Sequence, residues 1–517
     1  MSKTADQSLV EIAGGTGFFF LGTVVVMLCG FVGRVLLARF FTQTEYGIYS
    51  LTIVLMHILV IFSMLGLHEG LPRQIAYYRG KGDEPKVSGV IGSALKMAIV
   101  AGVPVSLALF FSSDIISTKA FHDPGLSISL KIFSVAIPFF ILIQMLSGVF
   151  RGFGKVKPKV YFMDVLRNGL FILLLALVIV LKLPFEGALF ACSISFIITG
   201  VSFAIYTKKR AAFSMKGEGS LVFNSIDREL LLFSLPLTLV YTLNDIMQYT
   251  DTIMIGFFKT IYDVGLYNAA VPISQFVNLL ASSMIFIYKP IVTGLYSQGA
   301  MIDIKQIYQS STKWLMLLAF PIFLIIFLFP KPVIGFLFGQ EYVGASPALQ
   351  ILALSSLSVP LLGPQGSTLM AMGKNNLLMY IAVAGAITNI ILNLILVPLM
   401  GITGAAVATL VSWGGVQLIN LILLYKIAGI HPFSQKLFKP MAVSLVASLA
   451  IYFVVEHFFT VTAWMLPVLA ILFFIIYFVA TLLTRSFDDQ ALNFVVAMET
   501  RTGIDLSLLK AILGRFM

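Results

Sequence analysis

The chain has 517 residues, of which 59% are hydrophobic and only 11% charged, and its mean hydropathy is +0.99. Soluble globular proteins carry about 25% charged residues, so this composition excludes a water-soluble globule. The net charge of +11 comes without any basic run interleaved with aromatic residues. We therefore interpret it as a signal of membrane topology and of attraction to anionic lipid, and we expect no nucleic-acid partner.

Apolar segments long enough to cross a bilayer recur along the whole chain. A membrane-spanning helix needs about 20 apolar residues, and 14 segments satisfy that length. They cover residues 17–40, 46–68, 87–111, 128–150, 159–181, 187–207, 230–258, 265–288, 313–330, 346–372, 377–399, 404–425, 438–458 and 464–484. The fold class predicted is thus an all-α polytopic membrane protein with 14 transmembrane helices.

The positions of the basic residues predict the orientation of these helices. Most of the 34 Lys and Arg residues fall in alternate loops, counted from a cytoplasmic N-terminus. Because cytoplasmic loops carry the excess of Lys and Arg, both termini are predicted to be cytoplasmic. The localisation predicted is the cell membrane, crossed many times. The two cysteines, Cys29 and Cys192, lie within spans and predict no disulfide framework.

Three short motifs recur at a nearly constant distance of 217 to 219 residues. The pairs are Glu45–Tyr49 with Asp263–Tyr267, Gly154-Lys155 with Gly373-Lys374, and Gly187-Ala188 with Gly404-Ala405. Each member follows the corresponding span, and the distance covers an even number of spans. Spans 1–6 and 7–12 are therefore predicted to form two parallel six-helix lobes that rock about a central site, and spans 13 and 14 are additions.

This repeat predicts five segments. They are the first lobe at 1–207, a cytoplasmic linker at 208–228, the second lobe at 229–427, the two added helices at 428–485, and a cytoplasmic amphipathic tail at 486–517.

Span 7 carries a polar stripe in an otherwise apolar helix. Its members recur at helical spacing: Tyr241, Asn244, Asp245, Gln248, Asp251 and Thr252. Asp245 is near the predicted centre of the span, where a carboxylate costs about 2.5–3.5 kcal/mol on insertion scales. A transport pathway is the favoured interpretation, and a buried polar cluster that only holds helices together is the alternative. Asn268, Gln275 and Asn278 form a similar stripe on span 8, suited to binding sugar hydroxyls or to interhelical hydrogen bonds.

Three segments carry a resemblance to a known family. They are RVLLARFFTQTEYGIYSL at the end of span 1, GVFRGFGKVKP after span 4 and DTIMIGFFKTIYDVGLYN at span 7. Together they resemble the Wzx-type oligosaccharide-lipid flippases, the polysaccharide exporters of the multidrug/oligosaccharidyl-lipid/polysaccharide superfamily. The resemblance implies a two-lobe transporter that moves polyprenyl- or dolichyl-phosphate-linked sugars outward. It also implies that Arg34 and Arg39, at the matching positions of span 1, line a cationic cavity.

Other basic residues inside spans extend this predicted cationic cavity. Lys96 and Lys131 are candidates on spans 3 and 4, although Lys131, like Arg39, is close enough to a span end to reach the interface instead. Asp164 and Arg167, three residues apart on span 5, are predicted to form a structural pair at a helix end. Arg34 lies 217 residues before Asp251, so we hypothesise that these two residues form an outer gate pair.

The predicted function is a flippase that translocates a polyprenyl- or dolichyl-(di)phosphate-linked oligosaccharide from the inner to the outer leaflet by alternating access. A Na⁺- or H⁺-coupled multidrug exporter of the same fold is the alternative, and a membrane enzyme acting on lipid-linked sugars is less favoured. No cofactor is expected. Na⁺ or H⁺ is a candidate coupling ion at Asp245, with membrane potential alone as the alternative. The expected partners are the lipid-linked oligosaccharide, membrane lipids and glycan polymerase or transferase machinery.

Overall fold

The computed structural model describes residues 28–64, 66–155, 157–210, 230, 246–459, 464–484 and 486. Within these residues the regular secondary structure is helical. The first ten helices in chain order are α1 (28–40), α2 (Gln43–Met64), α3 (Leu67–Gly80), α4 (Glu84–Ala120), α5 (Gly125–Gly152), α6 (Lys157–Val180), α7 (Phe185–Arg210), α8 (246–258), α9 (Ile261–Gln275) and α10 (Leu279–Ser297). The next eight are α11 (Met301–Leu328), α12 (Pro330–Leu337), α13 (Ser346–Leu362), α14 (Gln365–Ala371), α15 (Asn375–Met400), α16 (Ile402–Ala428), α17 (Gln435–Phe458) and α18 (Met465–Leu483).

Eleven helical segments of the described residues are long and apolar enough to cross a membrane. They correspond to predicted spans 2 to 6 and 9 to 14, so the multi-pass architecture is confirmed. Spans 1 and 7 are described only in part, as α1 and α8. Span 8 is divided between α9 and α10 by a short 3₁₀ turn at Phe276–Asn278. The total of 14 spans and the cytoplasmic position of both termini stay predictions.

Two further predicted spans, 2 and 10, are broken at glycine residues in the structure. The chain adopts positive φ at Gly66, between α2 and α3, and at Gly363, between α13 and α14. Glycine is the residue that tolerates this backbone conformation. At Gly363 a side chain would also collide with Thr312 and Tyr308, and the Tyr308 hydroxyl donates a hydrogen bond to the carbonyl of Leu362. Tertiary contacts therefore fix the second break.

The chain divides into two compact units. The first comprises the chain up to Asn268 together with Ile390–Ile402, and the second comprises Ala269–Asn389 and the chain from Thr403 onward. Fully buried side chains of the first unit include Leu37, Leu51, Met56, Phe133 and Phe203. The second has its own core, which includes Tyr288, Val292, Tyr308, Leu369 and Leu424.

The five predicted segments have other boundaries than these units and stay predictions. Only 208–210 of the linker are described, as the end of α7, and only Ser486 of the tail. The two added helices correspond to α17 and α18.

The repeated motifs form the same local structures in both positions. In the first pair, Thr42 donates to Glu45 at 2.8 Å and Thr260 donates to Asp263 at 2.7 Å, so that each pair caps the start of a helix. In the second pair, Gly154 and Gly373 both have positive φ, at 72° and 74°. The amide of the following lysine then donates to a carbonyl five residues back in each case. The sequence repeat is therefore also a repeat of helix ends.

The two copies of the first motif touch one another inside the first compact unit. A Cβ atom at Gly47 would lie 3.0 Å from the backbone nitrogen of Gly265, and one at Gly265 would lie 3.3 Å from that of Gly47. Each would also collide with a backbone carbonyl of the opposite helix, that of Ile261 or Gln43. Small residues at helix crossings allow backbones to approach this closely. The backbones of α2 and α9 are consequently in direct contact at Gly47 and Gly265, near the start of each helix.

Candidate functional site

The polar stripe of span 7 contains a buried carboxylate that accepts hydrogen bonds from side chains of two other helices. Asp251 on α8 is only 4% exposed. The Tyr267 hydroxyl of α9 donates to Asp251 Oδ2 at 2.5 Å, and the Asn393 amide of α15 donates to Asp251 Oδ1 at 2.8 Å. Hydrogen bonds to an ionised acceptor are among the strong ones, so these contacts offset part of the cost of burying the charge. Asp251 thereby ties three helices of the first unit together.

Thr252, the next residue of the stripe, is also buried and joins α8 to α9. The Asn268 amide donates to Thr252 Oγ1 at 3.2 Å and to the carbonyl of Val264 at 3.0 Å. The Asn268 carbonyl in turn accepts from the Tyr46 hydroxyl of α2 at 3.1 Å. The side chain of Asn268 is thus used between helices here, and its role toward sugar hydroxyls stays a prediction.

The other predicted stripe residues have different environments. Gln248 is exposed on α8. Gln275 and Asn278 are half-buried where α9 ends in the 3₁₀ turn. Tyr241, Asn244 and Asp245 lie outside the described residues, so the proposed coupling-ion site has no structural description.

The predicted cationic residues do not share one environment. Arg34 is half-buried on α1, within electrostatic range of Tyr46, Tyr49, His57 and Arg167. Arg39 is exposed at the end of α1, and Lys96 is half-buried on α4.

Lys131 has an ion-pair partner at the protein surface. Its Nζ lies 2.9 Å from Asp114 Oδ2, and Ser127 also donates to the Asp114 carboxylate. This pairing fits the alternative of an interfacial position for Lys131, while its contribution to a cationic cavity stays a prediction.

Two charge pairs were predicted within the spans, Asp164 with Arg167 and Arg34 with Asp251. Asp164 and Arg167 lie within electrostatic range of one another, but within the described residues no salt bridge joins them, and the Arg167 guanidinium donates to Asn168 Oδ1 at 2.7 Å. Asp164 lies inside a π-helical turn at Val160–Leu166 and Arg167 directly follows it, so the regular α-helical geometry of an i, i+3 pair does not apply there. For Arg34 and Asp251, the contacts of the carboxylate include those with Tyr267 and Asn393. Their role as a gate pair stays a hypothesis.

Asn393 was a sequence-predicted polar candidate on span 11, but sequence reasoning did not connect Asp251 with its donors Tyr267 and Asn393, nor Arg34 with Arg167. Tyr267 belongs to the repeated motif, and that signal could have marked it as a candidate. Asn393 lies 142 residues from Asp251, and no local pattern connects them.

Taken together, the described helices define a multi-pass membrane protein whose spans bury charged and polar side chains. The sequence matches the "Polysaccharide biosynthesis protein" family over residues 12–291 and the MatE family over residues 236–395. Since the polysaccharide biosynthesis match covers more than half of the chain, the chain belongs to the polysaccharide biosynthesis protein family. The resemblance to the Wzx-type flippases of the multidrug/oligosaccharidyl-lipid/polysaccharide superfamily is thereby confirmed.

Individual relatives agree with this assignment. A Shigella flexneri protein named for O-antigen transport is 22% identical over 395 residues, which is 75% of this chain and 90% of that protein. Agl15 of Haloferax volcanii, described as a probable low-salt glycan biosynthesis flippase, is 32% identical over 170 residues, which is 32% of this chain and 35% of that protein. The solved structure of the lipid II flippase MurJ in an inward closed conformation has the same fold, with a TM-score of 0.69 at 14% identity, covering 90% of this chain and 98% of that one.

Proposed function

We propose that the protein is a flippase that moves a polyprenyl- or dolichyl-(di)phosphate-linked oligosaccharide from the inner to the outer leaflet by alternating access. The observation that carries the proposal is membership of the polysaccharide biosynthesis protein family across residues 12–291. Relatives named for O-antigen transport and glycan biosynthesis support a glycan lipid as the cargo class. Cell-surface polysaccharide or glycan assembly would then supply and consume that cargo, with polymerase or transferase machinery as neighbours.

A half-buried arginine on the first span supports an anionic cargo. Arginine stays charged at physiological pH and presents a planar set of donors that matches phosphate oxygens. Arg34 would bind the phosphate of the head group while the lipid tail remains in the bilayer. Rocking of two helical bundles would then expose the head group on the other side.

Membrane potential is sufficient to bias such a step. Moving one elementary charge across the membrane changes its free energy by about 2.3 kcal/mol per 100 mV. In a membrane potential that is negative inside, outward movement of a head group with two negative charges is therefore favoured by about 4.6 kcal/mol per 100 mV. Coupling to Na⁺ or H⁺ at Asp245 is the alternative driving force. Transport by Asp245→Asn separates the two: if the variant keeps an unchanged response to Na⁺ and pH, Asp245 has no coupling role.

A MATE-like multidrug exporter coupled to Na⁺ or H⁺ is the second candidate, and the MatE match over residues 236–395 favours it. The buried carboxylate of Asp251 would suit a cationic cargo, whereas Arg34 would oppose it. An enzyme acting on lipid-linked sugars is less favoured, because the relatives are named as transporters and flippases.

Parallel transport assays of the two cargo classes test the proposal. The full chain is reconstituted into vesicles, and the uptake of a cationic dye driven by a Na⁺ or pH gradient is measured beside the movement of a fluorescent diphosphate-linked oligosaccharide between leaflets. The proposal predicts movement of the glycan lipid and no gradient-driven dye uptake. Dye uptake without glycan-lipid movement would establish the exporter instead.

A further inference from the structure

Helix α3 begins where the chain has already crossed the bilayer. The preceding helix α2 has 22 residues. At about 1.5 Å per residue it extends about 33 Å, close to the thickness of the hydrocarbon core, which is about 30 Å. The chain then turns at Gly66, with a φ of 73°, and continues into the 14 residues of α3. These lengths put α3 in the layer of lipid head groups, on the side predicted to be cytoplasmic.

One face of α3 packs on α5, and the opposite face is exposed. The packed face is in close contact, because a Cβ atom at Gly152 of α5 would lie 2.7 Å from the Ile75 side chain. On the opposite face Tyr77 is 56% exposed. Two exposed basic residues of α3 are Arg73 and Arg79. Since tyrosine rings are enriched at the depth of the head groups, this aromatic and basic face suits that layer.

Three further span ends bring basic residues to the same boundary. Span 3 is predicted to begin at residue 87, span 4 to end at residue 150 and span 5 to begin at residue 159. The segments 73–86 and 151–159 beside these ends hold two acidic residues, Asp83 and Glu84, and eight basic ones. The basic residues are Arg73, Arg79, Lys81, Lys86, Arg151, Lys155, Lys157 and Lys159. Clusters of about four to eight Lys or Arg residues directly beside a span are typical of sites that bind anionic lipid.

The two segments form one surface, because they are in contact. The Arg79 guanidinium donates to the Phe153 carbonyl at 3.3 Å, and its central carbon lies 5.5 Å from the centroid of the Phe153 ring. Just past the end of α3, Lys81 Nζ lies 4.5 Å from the centroid of the Tyr77 ring. Carbonyl and aromatic partners orient these two exposed cations without neutralising them. Among the described residues, neither Arg79 nor Lys81 has a carboxylate within salt-bridge distance.

We propose that this basic surface, formed by the exposed face of α3, Lys81 and the segment 153–159, is a docking site for the head groups of anionic phospholipids. Its depth and the sign of its charge decide the occupant, because the anionic groups in the head-group layer are lipid phosphates. Of the two acidic residues nearby, Asp83 is already paired with Lys86, at 3.6 Å. The inference goes beyond the proposed function, since the lipids bound here belong to the surrounding membrane and are not transported.

Fluorescence quenching by brominated lipids tests this surface locally. A Tyr77→Trp variant of the full chain places a fluorophore on α3, and subtracting the signal of the wild-type protein removes the contribution of the three native tryptophans. The variant is placed in phosphatidylcholine nanodiscs that contain either brominated phosphatidylglycerol or brominated phosphatidylcholine. We expect stronger quenching by the brominated phosphatidylglycerol, and we expect about 1 M salt to abolish the difference by screening.

Charge variants made in the Tyr77→Trp protein identify the residues responsible. Arg79→Gln combined with Lys81→Gln should lower the preference for phosphatidylglycerol over phosphatidylcholine roughly 5- to 25-fold, since each basic residue near an anionic surface contributes about fivefold. Arg79→Lys combined with Lys81→Arg keeps both charges and should retain the preference. A retained preference there shows that the charges, and not the contact with Phe153, bind the lipid.

A second variant and a matched control complete the experiment. Lys155→Gln combined with Lys157→Gln should also lower the preference, and it decides the matter if the first double variant does not fold. Lys119→Gln combined with Lys182→Gln is the control, because it removes two exposed charges on the side predicted to be outer. The control should show the same preference as the Tyr77→Trp protein.

Three results would overturn the inference. Equal quenching by the two brominated lipids in the Tyr77→Trp protein contradicts a lipid occupant and leaves an acidic protein as the partner for this surface. An undiminished preference in either folded Gln variant contradicts the assignment to these residues. An equal loss in the control would show that only the net charge of the chain matters, and that no local docking site exists.

Discussion

A carboxylate inside a membrane-spanning bundle is stable only where donors surround it. At Asp251 the hydroxyl of Tyr267 and the amide of Asn393 provide two such donors, each from a different helix. Removing a donor from a buried charged acceptor costs more than the net value of an ordinary hydrogen bond, because the acceptor cannot recover water. The side chains around Asp251 are thus expected to contribute measurably to stability.

Substitution of Tyr267 by Phe tests this contribution. Tyr267→Phe should lower the free energy of unfolding by about 1.5–3 kcal/mol, the range for hydrogen bonds to charged groups. Tyr262→Phe is the matched control, because Tyr262 lies on the same helix α9 but is 44% exposed. Thermal unfolding of the purified variants provides the measurement. Equal melting temperatures for the two variants would contradict the role assigned to Tyr267.

The gate hypothesis for Arg34 and Asp251 makes a different prediction at the same scale. The hypothesis is that the two charges pair when the transport pathway closes toward the outer side of the membrane. Each single reversal, Arg34→Asp or Asp251→Arg, should then lower transport, and the double variant should recover part of the loss. Transport of a glycan lipid by reconstituted protein is the readout. The absence of any recovery in the double variant would rule out the gate pair.

At the scale of helices, the contact between Gly47 and Gly265 leaves no room for a methyl group. Gly47→Ala and Gly265→Ala should each lower the free energy of unfolding by about 1–3 kcal/mol through overpacking, or separate α2 from α9. Gly30→Ala is the control, since a Cβ atom there would meet nothing within 4 Å. Melting temperatures of the three variants, measured in one detergent, check the prediction. Stability as high in Gly47→Ala as in Gly30→Ala would show that the two backbones do not touch.

Helix positions were predictable from sequence to the extent that the bilayer dictates them. The apolar stretches at 128–150 and 464–484 coincide closely with α5 and α18, because length and hydropathy alone decide such segments. The break at Gly363 was not predictable, since it depends on Tyr308 and Thr312, more than 50 residues earlier. The π-helical turn before Arg167 has no hydropathy signal either.

The candidate site was predictable only in part, because it too depends on contacts between distant parts of the chain. The helical spacing of polar residues on span 7 identified Asp251 and Thr252, whereas their donors on α9 and α15 come from distant parts of the chain. Arg34 was found from a family resemblance. Its electrostatic interaction with Arg167 on α6 follows from tertiary packing, which no spacing rule describes.

On the scale of the whole molecule, a repeated helical architecture carries basic residues within its spans. The repeat is visible in sequence and in the matched helix ends at Gly154 and Gly373. Membership of the polysaccharide biosynthesis protein family supports the proposed transport of a glycan lipid. A charged head group crossing the protein is the central claim.

Movement of a diphosphate-linked oligosaccharide between leaflets measures that claim most directly. Vesicles containing the full chain and a fluorescent glycan lipid are treated from outside with an impermeant glycosidase, and the fraction of lipid cleaved is followed over time under an imposed membrane potential. The account predicts that wild-type protein exposes the protected inner-leaflet lipid, that the potential accelerates this exposure, and that Arg34→Gln slows it at least tenfold, the loss expected for one charge-assisted contact of about 1.5–3 kcal/mol. Exposure no faster than in protein-free vesicles, or an unchanged rate in Arg34→Gln, would contradict it.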